Sequence, residues 1–69
     1  MAVTALTSIR ELGSRLENTL NNPASYRAVC TRLLLRTGVN VREPRPEQDR
    51  DSALVAKVHK ELADMGYQL

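Results

Sequence analysis

Apolar residues recur at steps of three and four positions along three stretches of this chain, a spacing that predicts amphipathic helices. The first apolar row consists of Leu6, Ile9, Leu12, Leu16 and Leu20. It predicts a helix over about residues 8–21, and Ser8 and Glu11 at its start have the spacing of a capping box. Thr4 is a competing start one turn earlier.

The second stretch predicts a helix over residues 23–37 that is apolar on two sides. Asn22 and Pro23 mark its start, because Asn caps free backbone N–H groups and proline suits the first helical position. At 100° per residue, one arc of about 140° holds Tyr26, Val29, Cys30, Leu33 and Leu34. A smaller stripe on roughly the opposite side holds Ala24, Ala28 and Leu35, with Arg32 and Arg36 between the two. A helix that is apolar on two sides needs two neighbours.

The third stretch predicts a helix over about residues 47–65. Its apolar stripe consists of Leu54, Val55, Val58, Leu62 and Met65. Pro46 can open this helix, and Asp51 or Ser52 is the alternative cap. The preceding segment 39–46 contains two prolines two residues apart, which favour an extended conformation, so we interpret it as a stiff connector.

Glycines mark the ends of the second and third helices. Gly38 can adopt the left-handed conformation that terminates a helix, with Val39 reaching back to Leu34 as in a Schellman motif. The same signal recurs at Gly66, after which Tyr67 can pack back onto the helix.

Two features within the predicted elements have more than one interpretation. Gly13 lies inside the first helix at a cost of about 1 kcal/mol relative to Ala. It either permits the close approach of a neighbouring helix or is merely tolerated. The segment Val39–Asn40–Val41 is too short for a structural assignment, and one interpretation is an extended run with both valines on one face, packing over the core as a lid.

The length of 69 residues limits the chain to one small domain, which buries only about 60% of its unfolded surface and needs reinforcement. One cysteine, Cys30, provides no disulfide, and Cys30 with His59 falls short of the four ligands of a structural zinc site. There is no Phe or Trp. We therefore expect an all-α fold, a small three-helix bundle completed by self-association.

Charge is distributed unevenly along the chain. Residues 23–45 contain five arginines and one acid, whereas residues 46–69 contain three basic and five acidic residues. Such asymmetry indicates either an anionic partner or the packing of the acidic third segment onto the basic second one, within or between chains.

No residue pattern indicates catalysis or metal binding, so we predict neither an enzyme nor a cofactor. Cys30 lies in the broad apolar arc, which favours a buried, unreactive thiol. His59 lies at the edge of the third apolar stripe, as an ordinary boundary histidine does. No run of about 20 apolar residues and no signal peptide is present, which predicts a cytoplasmic protein without membrane contact.

These patterns favour a non-enzymatic, regulatory or protein–protein interaction module that acts as a homodimer or as an adaptor for a protein target. The predicted binding surface consists of Ala28, Arg32, Leu35 and Arg36. The alternative is a small nucleic-acid-binding regulator that contacts phosphates through Arg32, Arg36, Arg42 and Arg45. Stacking aromatics and a basic recognition helix, which would strengthen that alternative, are missing from the sequence.

Overall fold

A computed structural model describes residues 8–69 of the chain, and this part is all-α, as the sequence predicts. The helices are α1 (Ile9–Leu20), α2 (Pro23–Thr37), α3 (Pro46–Asp49) and α4 (Ser52–Asp64). No strand occurs among these residues, and none of their helices is long and apolar enough to cross a membrane. The predictions for Thr4 and Leu6 lie outside the described residues.

Helix α1 is capped at its start by two side chains, one local and one distant. The Ser8 hydroxyl accepts a hydrogen bond from the Glu11 N–H at 3.1 Å, as the capping-box spacing predicts. The Asp49 carboxylate accepts from the Arg10 N–H at 3.0 Å. Asp49 thus joins the end of α3 to the start of α1, where a negative charge is favourable.

The structure divides the helix predicted over 47–65 into α3 and α4. Pro46 opens α3, and the Gln48 side chain accepts from the Arg45 N–H at 3.1 Å. The Asp51 carboxylate then caps a new helix by accepting from the N–H groups of residues 53 and 54 at 3.0 and 3.3 Å. Both of the starts considered from the sequence are therefore used, and residues 8–69 contain four helices where three were predicted.

The two glycine-terminated helices end differently. Gly66 ends α4 in a Schellman motif, in which Gly66 N–H donates to the Ala63 carbonyl and Tyr67 N–H to the Leu62 carbonyl. At the end of α2 the prediction of a Schellman motif is wrong. The Gly38 N–H donates to the Leu34 carbonyl, and the Val39 N–H does not donate to a carbonyl of the helix.

Thr37 explains this difference at the end of α2. Its buried hydroxyl donates to the Leu33 carbonyl at 2.7 Å and accepts from the Val39 N–H at 3.2 Å. In a Schellman motif the Val39 N–H would donate to a helix carbonyl, but here the Thr37 hydroxyl accepts this bond. Helix α2 therefore ends with the simpler left-handed cap at Gly38.

The core draws on α1, α2, α4 and the segment between α2 and α3. Its buried apolar members are Ile9, Leu12, Leu16, Cys30, Leu33, Val39, Val41, Val55, Val58 and Leu62. Val39 and Val41 are 1% and 2% exposed and pack over the core as a lid, with Val41 at the start of a turn. Gly13 lies against this lid: a Cβ added there would lie 2.7 Å from the Val41 carbonyl oxygen. The glycine permits a close approach, but the neighbour is the connector backbone and not another helix.

Candidate protein-binding surface on helix α2

One side of α2 belongs to the core. Cys30, Leu33 and Thr37 are buried on it, and Tyr26 and Val29 are half-buried beside them. Leu34 was expected in the same arc, but it is 44% exposed, so that expectation is wrong. Thr37 lies about 20° from Cys30 on the helical wheel, whereas Leu34 lies about 40° beyond Cys30, away from Leu33. The neighbouring elements cover Thr37 but do not reach Leu34.

The opposite side of α2 is open. Leu35 is 81% exposed, and Ala24, Ala28 and Thr31 on the same side are also exposed. We call these four residues the outer face of α2. Leu34 and Leu35 are the exposed large apolar side chains among residues 8–69.

Sequence reasoning placed Ala24, Ala28 and Leu35 in one stripe but missed Thr31. The four positions are separated by steps of four, three and four, the spacing with which one helix packs along another in a coiled-coil seam. Reading the exposed positions for this spacing, instead of counting apolar residues only, would have identified Thr31.

Arg27 and Arg32 flank the outer face. They lie on opposite sides of Leu35, about 80° and about 60° away around the helix. Helix α2 contains no acidic residue, and neither arginine has an ion pair within the part of the chain that the structure describes. The open face therefore has a positively charged rim on each side.

Arg36 differs from these two arginines because it is already paired within the chain. Its Nε lies 2.7 Å from a carboxylate oxygen of Glu61 on α4, and its side chain remains 56% exposed. The hydrogen bond from Arg36 to Glu61 and the carboxylate charge raise the pKa of the guanidinium. This contact joins the basic second segment to the acidic third segment within one chain, one of the two arrangements that the charge asymmetry predicted.

An open groove of about 320 Å³ adjoins the outer face, between α2 and the end of α4. It is lined by Ala28, Val29, Arg32, Asp64, Met65 and Tyr67. Ala28 therefore belongs to both surfaces and Arg32 lies on the boundary between them, and the groove brings the Asp64 carboxylate to the edge of the outer face. Of the predicted protein-binding residues, Ala28, Arg32 and Leu35 share one exposed surface, and Arg36 lies beside it, held by Glu61.

The predicted phosphate-binding arginines lie in different surroundings. Arg32 and Arg36 are on the side of α2 that meets α4. Arg42 is close enough to Tyr26 and Cys30 to act electrostatically on both side chains. It therefore lies on the side of α2 that packs against α1. Arg45 lies 4.0 Å from Glu47, a carboxylate of α3. The connector folds back onto the core, but it does not bring Arg42 and Arg45 to the side of α2 that carries Arg32 and Arg36.

Cys30 and Tyr26 form a small internal pair on the inner side of α2. Burial raises the pKa of the Cys30 thiol, and it raises the pKa of the Tyr26 hydroxyl to about 12. A thiol that is 5% exposed and held in its neutral form is a poor nucleophile. His59 is exposed, and among the described residues no group of three or more His, Cys, Asp or Glu side chains is placed to hold a metal ion.

Comparison with protein-family models, with curated proteins and with solved structures finds no match for this chain.

Proposed function

We propose that the protein is a non-enzymatic interaction module that binds protein through the outer face of α2, as a homodimer or with a protein target. The exposure of Leu35 carries this proposal. Its side chain is 81% exposed on a helix whose opposite side packs into the core. Covering a leucine of this kind contributes about 1.5–3 kcal/mol, a substantial amount for so small a domain.

The residues around Leu35 suit contact with another helix. Ala24, Ala28 and Thr31 are small, so a partner helix can approach closely, and Leu35 provides the large apolar anchor. Arg27 and Arg32 on the rims contribute more to orientation and to the rate of association than to affinity. The small core gives a further reason for a partner, because it includes no disulfide and few large apolar side chains.

The alternative function is nucleic-acid binding through Arg32, Arg36, Arg42 and Arg45. The observation in its favour is that α2 carries three arginines and no acid. Against it, Glu61 already neutralises Arg36, and Arg42 lies on another side of the helix. Binding to phosphates releases counterions and weakens steeply as salt rises. Tight binding to one nucleic-acid sequence that survives about 0.2 M salt would favour this alternative.

Replacing Leu35 by Glu tests the proposed function. A charge placed in an apolar contact without a partner costs on the order of a few kcal/mol, so Leu35→Glu should shift the protein from dimer to monomer. Light scattering coupled to size-exclusion chromatography, run over a series of dilutions, measures the mass directly.

The matched control is Arg15→Glu, a larger charge change at an exposed position of α1, outside the outer face and its rims. We expect it to have little effect on assembly. If the wild-type chain remains monomeric at high micromolar concentration, the homodimer is contradicted and the outer face is left to a different protein target. If Leu35→Glu remains dimeric, another surface mediates assembly.

A further inference from the structure

We infer that the outer face of α2 is covered by the same face of a second copy, with the two α2 helices antiparallel about a two-fold axis that passes between Ala28 and Thr31. This inference rests on the proposed function and specifies its partner and geometry. Two independent properties of the outer face carry it, the order of its side-chain sizes and the positions of its charges.

Side-chain size runs in one direction along the outer face. It begins with Ala24 and Ala28, passes through Thr31 and ends with Leu35. In an antiparallel pair, each Leu35 lies opposite the partner's Ala24, and each Thr31 opposite the partner's Ala28. The largest side chain therefore meets the smallest at both ends, and the seam keeps an even width. A parallel pair would place leucine against leucine at one end and alanine against alanine at the other, leaving a gap.

The charged rims favour the same direction. In a parallel helix pair, Arg27 of each helix would face Arg32 of the other across the seam. Two Arg–Arg contacts would therefore form. In the antiparallel pair, Arg27 lies over the partner's Leu34 and Arg32 lies beside the partner's Ser25. No arginine then faces another, and the second exposed leucine, Leu34, is covered by the aliphatic part of an arginine side chain.

The antiparallel arrangement also places both grooves on the same side of the helix pair. Arg32 flanks the seam on the side where α4 packs, and the groove there contains Asp64. Each Arg32 therefore points towards a region that holds an acidic group of the partner as well as its own. The seam from residue 24 to residue 35 is only about 16 Å long, so we expect a dimer that dissociates on dilution.

Disulfide trapping with two single variants, Ala24→Cys and Leu35→Cys, tests the direction of the helices. Opposed seam positions approach within disulfide distance, whereas equivalent positions in an antiparallel pair are separated by about 16 Å along the axis. The two variants are mixed under a mild oxidant at a concentration where light scattering shows a wild-type dimer. Cys30 remains in place, and wild type controls for its burial.

The inference predicts that only the mixture forms a covalent dimer, joined between positions 24 and 35, and that each variant alone stays uncrosslinked. Ready crosslinking of Ala24→Cys with itself would show a parallel pair and overturn the inference. If light scattering shows that the mixed variants dimerise but no crosslink forms in any sample, assembly lies on another face, which also overturns the inference. If light scattering detects no dimer of the wild-type protein, that result contradicts the proposed homodimer itself and not only the direction of its helices.

Ser25→Glu provides a gain-of-function test of the same geometry. In the antiparallel pair the new carboxylate lies beside the partner's Arg32 on both sides of the two-fold axis, so we expect the dimer dissociation constant to fall about two- to fivefold. The effect should disappear when Arg32→Ala is added. An unchanged or weakened dimer in Ser25→Glu would contradict the antiparallel arrangement.

Discussion

The two sides of α2 have similar apolar residues but opposite surroundings. Leu33, on the inner side, is fully buried between α1 and α4, whereas Leu35, two positions later, is 81% exposed. Neither residue type nor helix propensity distinguishes them, so the difference comes from the neighbours that the rest of the chain provides. Helices α1 and α4 and the connector lid are enough to enclose one side of α2 and no more. Helix α2 therefore has apolar surface beyond what the described part of this chain covers.

Truncating one leucine on each side of α2 tests this difference most directly. Leu33→Ala should lower the free energy of unfolding by about 2–5 kcal/mol, because it leaves a cavity in a closed core. Leu35→Ala should change it by no more than about 0.5 kcal/mol at concentrations where the protein is monomeric. Chemical denaturation followed by circular dichroism measures both. Comparable losses in the two variants would show that Leu35 packs within its own bundle.

The lid over the inner side is tested at Gly13. A Cβ at this position would lie 2.7 Å from the Val41 carbonyl oxygen, so Gly13→Ala must displace the connector. Overpacking of this kind costs about 1–3 kcal/mol, which exceeds the gain of about 1 kcal/mol in helix propensity. We expect a net loss of stability of about 1 kcal/mol in thermal or chemical unfolding.

The control for Gly13→Ala is Ser14→Ala, an exposed position in the same helix. There the gain in helix propensity meets no obstacle, and stability should rise slightly. If Gly13→Ala were stabilised to the same extent as Ser14→Ala, the connector would not lie against α1 as the structure shows.

The smallest effect is expected at the ion pair between α2 and α4. Arg36→Ala should lower the free energy of unfolding only slightly, less than either Leu33→Ala or Gly13→Ala does, since the guanidinium is more than half exposed and its pair is screened by water and salt. Glu61→Gln should have a similar effect, and the double variant should lose little more than either single one. Additive losses in the double variant would show that Arg36 and Glu61 do not interact in solution.

Much of the fold follows from the sequence because its signals are local. The row of apolar residues in α1, the cap at Asn22, the proline at position 23 and the glycine at position 38 each act within one turn of helix. They predict the all-α class, and the bounds predicted for α2 coincide with the observed ones. The segment of Val39 and Val41 was too short for an assignment from the sequence, and Val41 lies in a turn where an extended run was one interpretation.

The features that sequence reasoning missed depend on contacts between distant residues. Thr37 replaces Leu34 in the core because of where α1 and α4 end around α2, which no spacing within the helix reveals. The split between α3 and α4 accompanies the bond from Arg10 N–H to Asp49, 39 positions apart in the chain. The partner of Gly13 is the Val41 carbonyl oxygen, a backbone atom that has no sequence signature.

Whether the outer face of α2 is covered in the functional protein is tested most directly by the concentration dependence of its thermal stability. Because association stabilises the folded state by mass action, the wild-type melting temperature should rise with protein concentration. The melting temperature of Leu35→Glu should be lower and independent of concentration. Identical, concentration-independent melting of the two proteins would contradict self-association through this face.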